Sequence, residues 1–284
     1  MRRIRLVVAY DGTCYCGSQL QKNGPSIEGE LHKAIESLTG TDPKIISASR
    51  TDAGVHSRGN VFVFDTDMRM PADKFPFALN QRLPDDIVVQ SGQETAPDWH
   101  PRHCDSVKTY EYRILQAAFP DPLTRNTALF YHYPLDVERM KRAASSLEGE
   151  HDFASFCSSG TAVKTTVRTV FSCEVLEEPA EGGFETRFPD QPPLRLPKKY
   201  IIIRISGSGF LYNMVRIIAG TLIQVGNGER EPEAMPDILH ACDRAAAGPT
   251  APACGLTMLG IRYISPADQV CHTRTAPVPS PKQA

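Results

Sequence analysis

Several features are missing from this chain of 284 residues, and each absence removes a class of protein. No uninterrupted apolar run reaches the roughly 20 residues that span a bilayer. No apolar signal core follows Met1-Arg2-Arg3-Ile4-Arg5, so a cytoplasmic location is expected, with no membrane partner. The eight cysteines are scattered and contain no CxxC pair. Cys14/Cys16 and His100/His103/Cys104 lack the paired spacing of a structural zinc site, and no metal is expected. An even cysteine count does not by itself argue for disulfides in a cytoplasmic chain of this size. There is no basic excess: the net charge is −2. That excludes a protein coating nucleic acid over its whole surface, but not a basic cleft on a neutral body. The candidates for such a cleft are Arg50, Arg58, Arg102, His103, Lys108, Arg113, Lys164, Arg168, Lys198 and Lys199.

What remains is ordinary for a globular protein, with 41% hydrophobic and 23% charged residues. The length suits one large domain or two modest ones. Residues 4–10 read as a strand. Ser26 is a plausible helix N-cap, Ile27, Leu31, Ile35 and Leu38 recur at helical spacing, and Gly40 ends the run. Strands are expected at 44–48, 60–64 and 87–89, and a helix over 72–82. This β-α-β-β-α-β order resembles a ferredoxin-like unit. Residues 108–115 alternate as a strand, with Tyr110 and Tyr112 on one face and Glu111 and Arg113 on the other. Asp136 caps a helix to Leu147, and Gly149 to Phe153 turn out of it. Strands follow at 168–175, 200–205 and 256–261, with helices at 210–225 and 236–247. Residues 177–199 read as a loop or irregular hairpin, and the composition from Ser265 as a disordered tail. No sequence repeat is visible, yet the second half mirrors the element order of the first. The expected fold is α+β: two similar ferredoxin-like or RRM-like subdomains, 1–106 and 107–264. Their sheets join in one mixed, mostly antiparallel sheet with a cleft between the halves.

Three residues invite weighing together. Asp52 lies on a turn between two strand-like runs, with Gly54 available for unusual backbone. A turn aspartate often does no more than bond its own backbone. Arg216 is a guanidinium in an apolar helix, where it needs a carboxylate, either a structural partner or Asp52. In the second case it would oppose the desolvation of Asp52 and keep it ionised. Tyr110 is either a core aromatic with its hydroxyl at the rim or a flat surface for stacking a nucleobase.

Arg50-Thr51-Asp52-Ala53-Gly54-Val55-His56 resembles the active-site motif of the TruA family of tRNA pseudouridine synthases. Five further segments resemble that family in the same order. They are Tyr10-Asp11-Gly12 with Gly17-Ser18-Gln19; Trp99-His100-Pro101-Arg102 with Lys108 to Tyr112; Gly149 to Phe153; Phe210 to Arg216; and Ala251 to Leu256. Ser18, Ser49 and Ser57 depart from the usual aromatic, glycine and alanine, and the 177–199 segment looks long. These touch loop detail and substrate breadth rather than the chemistry.

The resemblance implies a cofactor-independent isomerase acting on tRNA positions 38 to 40, as a homodimer with one tRNA spanning both subunits. It implies that Asp52 is nucleophile or base at the uridine ribose and that Arg216 holds it charged. Tyr110 would stack on the target base and is a candidate to remove the C5 proton. Arg50 would fill the space that the base leaves, and Leu256 and Val55 would line its pocket. Three other readings stay open: a relative acting on another RNA site, an inert RNA-binding protein, and a ferredoxin-like small-molecule binder. The last predicts no basic surface beside Asp52.

Overall fold

The computed structural model describes residues 1–21, 24–160, 163–180 and 198–264. Ile4, Leu6, Val8 and Tyr10 alternate along β1 (Arg2–Tyr10), and all four are buried on one face. Helix α1 (Ile27–Thr39) covers that face with Ile27, Leu31, Ala34 and Ile35. Both of its ends follow the sequence. The Ser26 side chain accepts the Gly29 N–H, and Gly40 closes the helix in left-handed backbone at φ 71°. Strands β2 (Ile46–Ser47) and β3 (His56–Thr66), helix α2 (Phe75–Asn80) and β4 (Ile87–Thr95) complete the first half. Strand β1 lies between β4 and β3, antiparallel to both, and β2 pairs with β3. That is the strand arrangement of a ferredoxin-like unit.

The second half repeats it. Its elements are β5 (Ser106–Ala117), β6 (Leu129–Tyr131), α3 (Val137–Ser145), β7 (Gly149–Asp152) and β8 (Val167–Pro179). They continue with β9 (Lys198–Gly207), α4 (Met214–Gly226), α5 (Met235–Ala241) and β10 (Leu256–Tyr263). The order β10-β5-β9-β8 matches β4-β1-β3-β2, with β7 added beyond β8 and β6 parallel beside β5. The halves meet where β10 runs parallel to β3, pairing Thr257 with His56 and Met258 with Ser57. The described residues thus form one ten-stranded, mostly antiparallel sheet, as the element order predicts.

Each half has its own core. One gathers Ile4 to Val89 under α1 and α2. The other gathers Tyr110 to Met258 around α3 and α4. Val55 is the one residue of the first half in the second core, and it is 2% exposed.

Several boundaries differ from expectation. The strand expected at 44–48 is two residues long. β3 begins at His56 rather than at 60, because Ser57, Asn60 and the residues beyond find buried partners. The helix expected over 72–82 is a 3-10 turn (Ala72–Lys74) followed by the short α2. α5 ends at Ala241, before Cys242 in left-handed backbone. Residues 149–152 pair with β8 as a strand instead of only turning. The loop expected over 177–199 is shortened at both ends, since β8 runs to Pro179 and β9 starts at Lys198. Its residues 181–197, and the tail from 265, lie outside the described residues. Most consequential, α4 starts at Met214 rather than Phe210, because Asn213 adopts left-handed backbone with φ 60°.

Candidate active site

The loop from Ser49 to Val55 is held from three sides. From the first half, Ser18 N–H donates to the Thr51 carbonyl (3.0 Å), and Thr51 N–H donates to Ser18 Oγ (2.8 Å). The Tyr10 hydroxyl meets Thr51 Oγ1 at 2.8 Å, and Asn60 Nδ2 donates to the Ser49 carbonyl at 2.9 Å. Burial pushes the Tyr10 phenol up to about 12, so it stays a neutral partner. From the loop before α1, Gly12 approaches so closely that a Cβ there would lie 2.0 Å from the Val55 carbonyl oxygen. Gly12 N–H donates to His56 Nδ1 at 3.1 Å. From the second half, Val55 enters the core, and Ala253 Cβ stands 3.1 Å from where a Cβ on Gly54 would be. Gly54 itself needs its φ of 76° for the turn.

Asp52 emerges from this frame half-buried. Burial raises its carboxyl above the ordinary value, and two groups oppose the shift: the charge of Arg216 and the backbone N–H of Asn213. That N–H belongs to the residue capping α4, so the carboxylate faces a helix N-terminus, where partial positive charge favours an anion. Arg216 is half-buried and, with Gln224, is one of two positions of α4 not buried. Its Nε donates to the Ala251 carbonyl (2.7 Å) and its Nη1 to Asn213 Oδ1 (2.9 Å). Among the described residues it makes no contact ion pair with Asp52. The expected pairing of Arg216 with Asp52 is therefore not found, because the guanidinium is taken up by the Ala251 carbonyl and the Asn213 side chain. The guanidinium acts at a distance, shares the task with Asn213, and does not cancel the cost of burial. Asn213 escaped the sequence reading: asparagine tolerates left-handed backbone better than most residues, but here it stands inside an apolar run that reads as continuous helix from Phe210. Its Nδ2 is anchored on Ser158 Oγ at 3.0 Å.

Tyr110 is 6% exposed, edge-on to Phe210 at 5.1 Å, and its hydroxyl meets Ser49 Oγ at 3.1 Å. Burial raises its phenol well above the ordinary value, and the charge of Asp52 adds to this, which places the two groups within electrostatic reach. Leu256 is buried at the start of β10 in the same core as Val55 and Tyr110. Arg50 is exposed beside the loop, and its charge, with that of Arg102, lowers the Glu28 carboxyl against the larger raising effect of burial.

The cation candidates divide. Arg102 and Lys108 gather near the loop: Arg102 Nε donates to the Ser47 carbonyl (2.9 Å) and Lys108 Nζ to the Ala48 carbonyl (3.3 Å). Arg168 acts electrostatically on Lys108. Arg58 and Arg113 instead line a recess with Glu111 and Tyr200, on the opposite face of the sheet from Tyr110. Lys198 and Lys199 are engaged with Asp121 and Glu177. Among the described residues no group of three metal-ligating side chains occurs, and no helix is long and apolar enough to cross a membrane.

A sequence profile of the tRNA pseudouridine synthase family matches residues 6–103 and 143–264. The tRNA pseudouridine synthase A of Brevibacillus brevis is 43% identical over 263 residues, covering 93% of this chain and 100% of that protein. The protein of the same name from Acetivibrio thermocellus is 41% identical over 263 residues, with the same coverage. That from Halalkalibacterium halodurans is 42% identical over 257 residues, covering 90% of each. Among solved structures, a chain of a Cbf5-Nop10-Gar1 complex aligns at 10% identity with a TM-score of 0.27, over 90% of this chain and 56% of that one.

Proposed function

The chain belongs to the tRNA pseudouridine synthase family, isomerases that act on uridine in tRNA, and we propose that it modifies the anticodon stem-loop at positions 38, 39 and 40 with Asp52 as the reacting carboxylate. The observation that carries this reading is the setting of Asp52. A half-buried carboxylate faces the N-terminus of α4 and the charge of Arg216, within electrostatic reach of a buried phenol.

The chemistry balances without an external group. The C1′–N1 bond of the uridine breaks, the uracil turns, and C1′ bonds to C5. C5 gives up its proton, and N1 takes one. Asp52 acts at the ribose, through a covalent adduct or a glycal. For this the uridine has to leave the base stack. Arg50, exposed at the rim, takes the space that the base vacates, and Val55 and Leu256 form the apolar floor. Tyr110 supplies a wall for the uracil. As a neutral phenol in the unliganded protein, it can accept the C5 proton only after giving up its own. No cofactor is required by this sequence of bonds. Residues 1–106 supply the reacting loop and residues 107–264 the helix, arginine and phenol. The cytoplasm and a homodimer complete the proposal, resting on the family resemblance.

The test is to incubate the protein with unmodified tRNA transcript and to map pseudouridine by reverse-transcription stops after carbodiimide treatment. Stops at 38 to 40 are expected. Stops only elsewhere in the tRNA would overturn the site assignment and leave the isomerase reading intact.

A further inference from the structure

A recess of about 390 Å³ opens beside the catalytic loop, its lining including Arg102, His103, Asp105, Lys108, Phe171 and Ser208. Lys108 and Tyr110 point to the same face of β5, whose pairing with β9 is unbroken from Lys108 to Ala117. Two residues along a strand is about 6.6 Å, so the recess adjoins the Tyr110 wall without overlapping it. Arg102 and Lys108 reach the carbonyls of Ser47 and Ala48, the two residues ahead of Ser49. Arg168 approaches from β8, where its neighbour Thr169 donates to Ser208 Oγ on the rim (3.4 Å).

The charges facing Lys108 are mostly of one sign. Arg102 and His103 come from the segment before β5 and Arg168 from β8, with Asp105 the only carboxylate among the described residues of the lining. Among the described residues none of Arg102, Lys108 and Arg168 forms an ion pair, and their bonds go to backbone carbonyls. Gathering like charges in a half-buried recess is unfavourable, and the Lys108 ammonium registers it. Burial first, then the charges of Arg102 and Arg168, bring it down to about 8. An anion seated there would reverse that penalty.

We propose that Arg102, Lys108 and Arg168 form a phosphodiester-binding site for a nucleotide flanking the target uridine, and that filling it secures the Ser47–Ser49 segment leading to Asp52. This rests on the RNA-modifying function proposed above. A diester suits the site because it is a singly charged anion that several donors can share, and because RNA bound at Asp52 must carry one on each side of the target. The three cations are thus positioning residues, acting on the approach of the substrate and on the backbone of the loop.

The test measures binding of unmodified tRNA transcript across a series of KCl concentrations, by filter retention. It compares the wild-type protein with Lys108→Met, Lys108→Arg and Arg168→Met. Pseudouridine formation by the same preparations is followed in parallel. Lys108→Met should weaken binding roughly tenfold, the range of a hydrogen bond to a charged group. The log–log salt dependence should become shallower by about 0.7–0.9, the loss of one phosphate contact. Lys108→Arg should restore both. Arg168→Met, outside the carbonyl clamp, should also flatten the slope, and it decides the matter should Lys108→Met fail to fold. A slope unchanged in the folded variants overturns the phosphate site. If the wild-type protein makes no pseudouridine, the function falls instead, and the two failures are separable.

Discussion

At the scale of single residues, burying the Asp52 carboxylate carries a cost. Its carboxyl is raised in the folded protein, so the native state holds a proton more tightly than the unfolded chain does. Stability is therefore lost as pH rises through the folded-state value and regained below it. Asp52→Asn should raise the melting temperature near pH 7, by about 2–4 °C per kcal/mol relieved, and should leave it unchanged at pH 3. Calorimetry at the two pH values checks this. The proposed role of Asp52 requires its ionised form, so the acid limb of the rate profile should lie above the usual aspartate range. Arg216→Met removes the larger of the two opposing influences and should move that limb further up. Arg216→Lys keeps the charge but loses the fixed reach to Ala251 and Asn213, so its limb should fall between the two. A pH–rate series on the three proteins reads the order directly.

At the scale of elements, the loop of residues 49–55 is clamped by contacts from both halves. Gly12→Ala would drive a methyl into the Val55 carbonyl, where a Cβ would stand at 2.0 Å. It should cost about 1–3 kcal/mol or more, with activity falling faster than stability. Urea melts beside rate measurements check both. Much of this layer was legible in advance. The caps of α1 and α3 follow from Ser26, Asp136 and Gly40, and the β5 alternation correctly separates Tyr110 from Glu111. What stayed hidden depends on tertiary contact. The strand β2 is short because its pairing to β3 extends over only two residues. The late start of α4 depends on the left-handed Asn213, and its apolar neighbours from Phe210 read as continuous helix. The N–H that faces Asp52 was therefore invisible, while the arginine three residues later stood out as a charge among apolar residues.

At the scale of the whole molecule, two similar halves share one sheet, and the site lies where they join. Neither half holds the site alone: the carboxylate comes from the first, and the guanidinium, phenol and helix end come from the second. Val55 ties them by crossing from its own half into the other core. Val55→Ala should destabilise by about 1.5–3 kcal/mol through lost burial and the cavity left behind. It should also lower turnover, because the loop loses its anchor beside Asp52. Denaturant titration and steady-state rates test the pair. The most direct test of the central claim uses tRNA carrying tritium at C5 of its uridines, since forming the C1′–C5 bond must release that label to water. The wild-type protein should release tritium from a few uridines per tRNA. Asp52→Ala should release none above background while still binding the tRNA. Release by Asp52→Ala at the wild-type rate would contradict the assignment of that carboxylate as the reacting group.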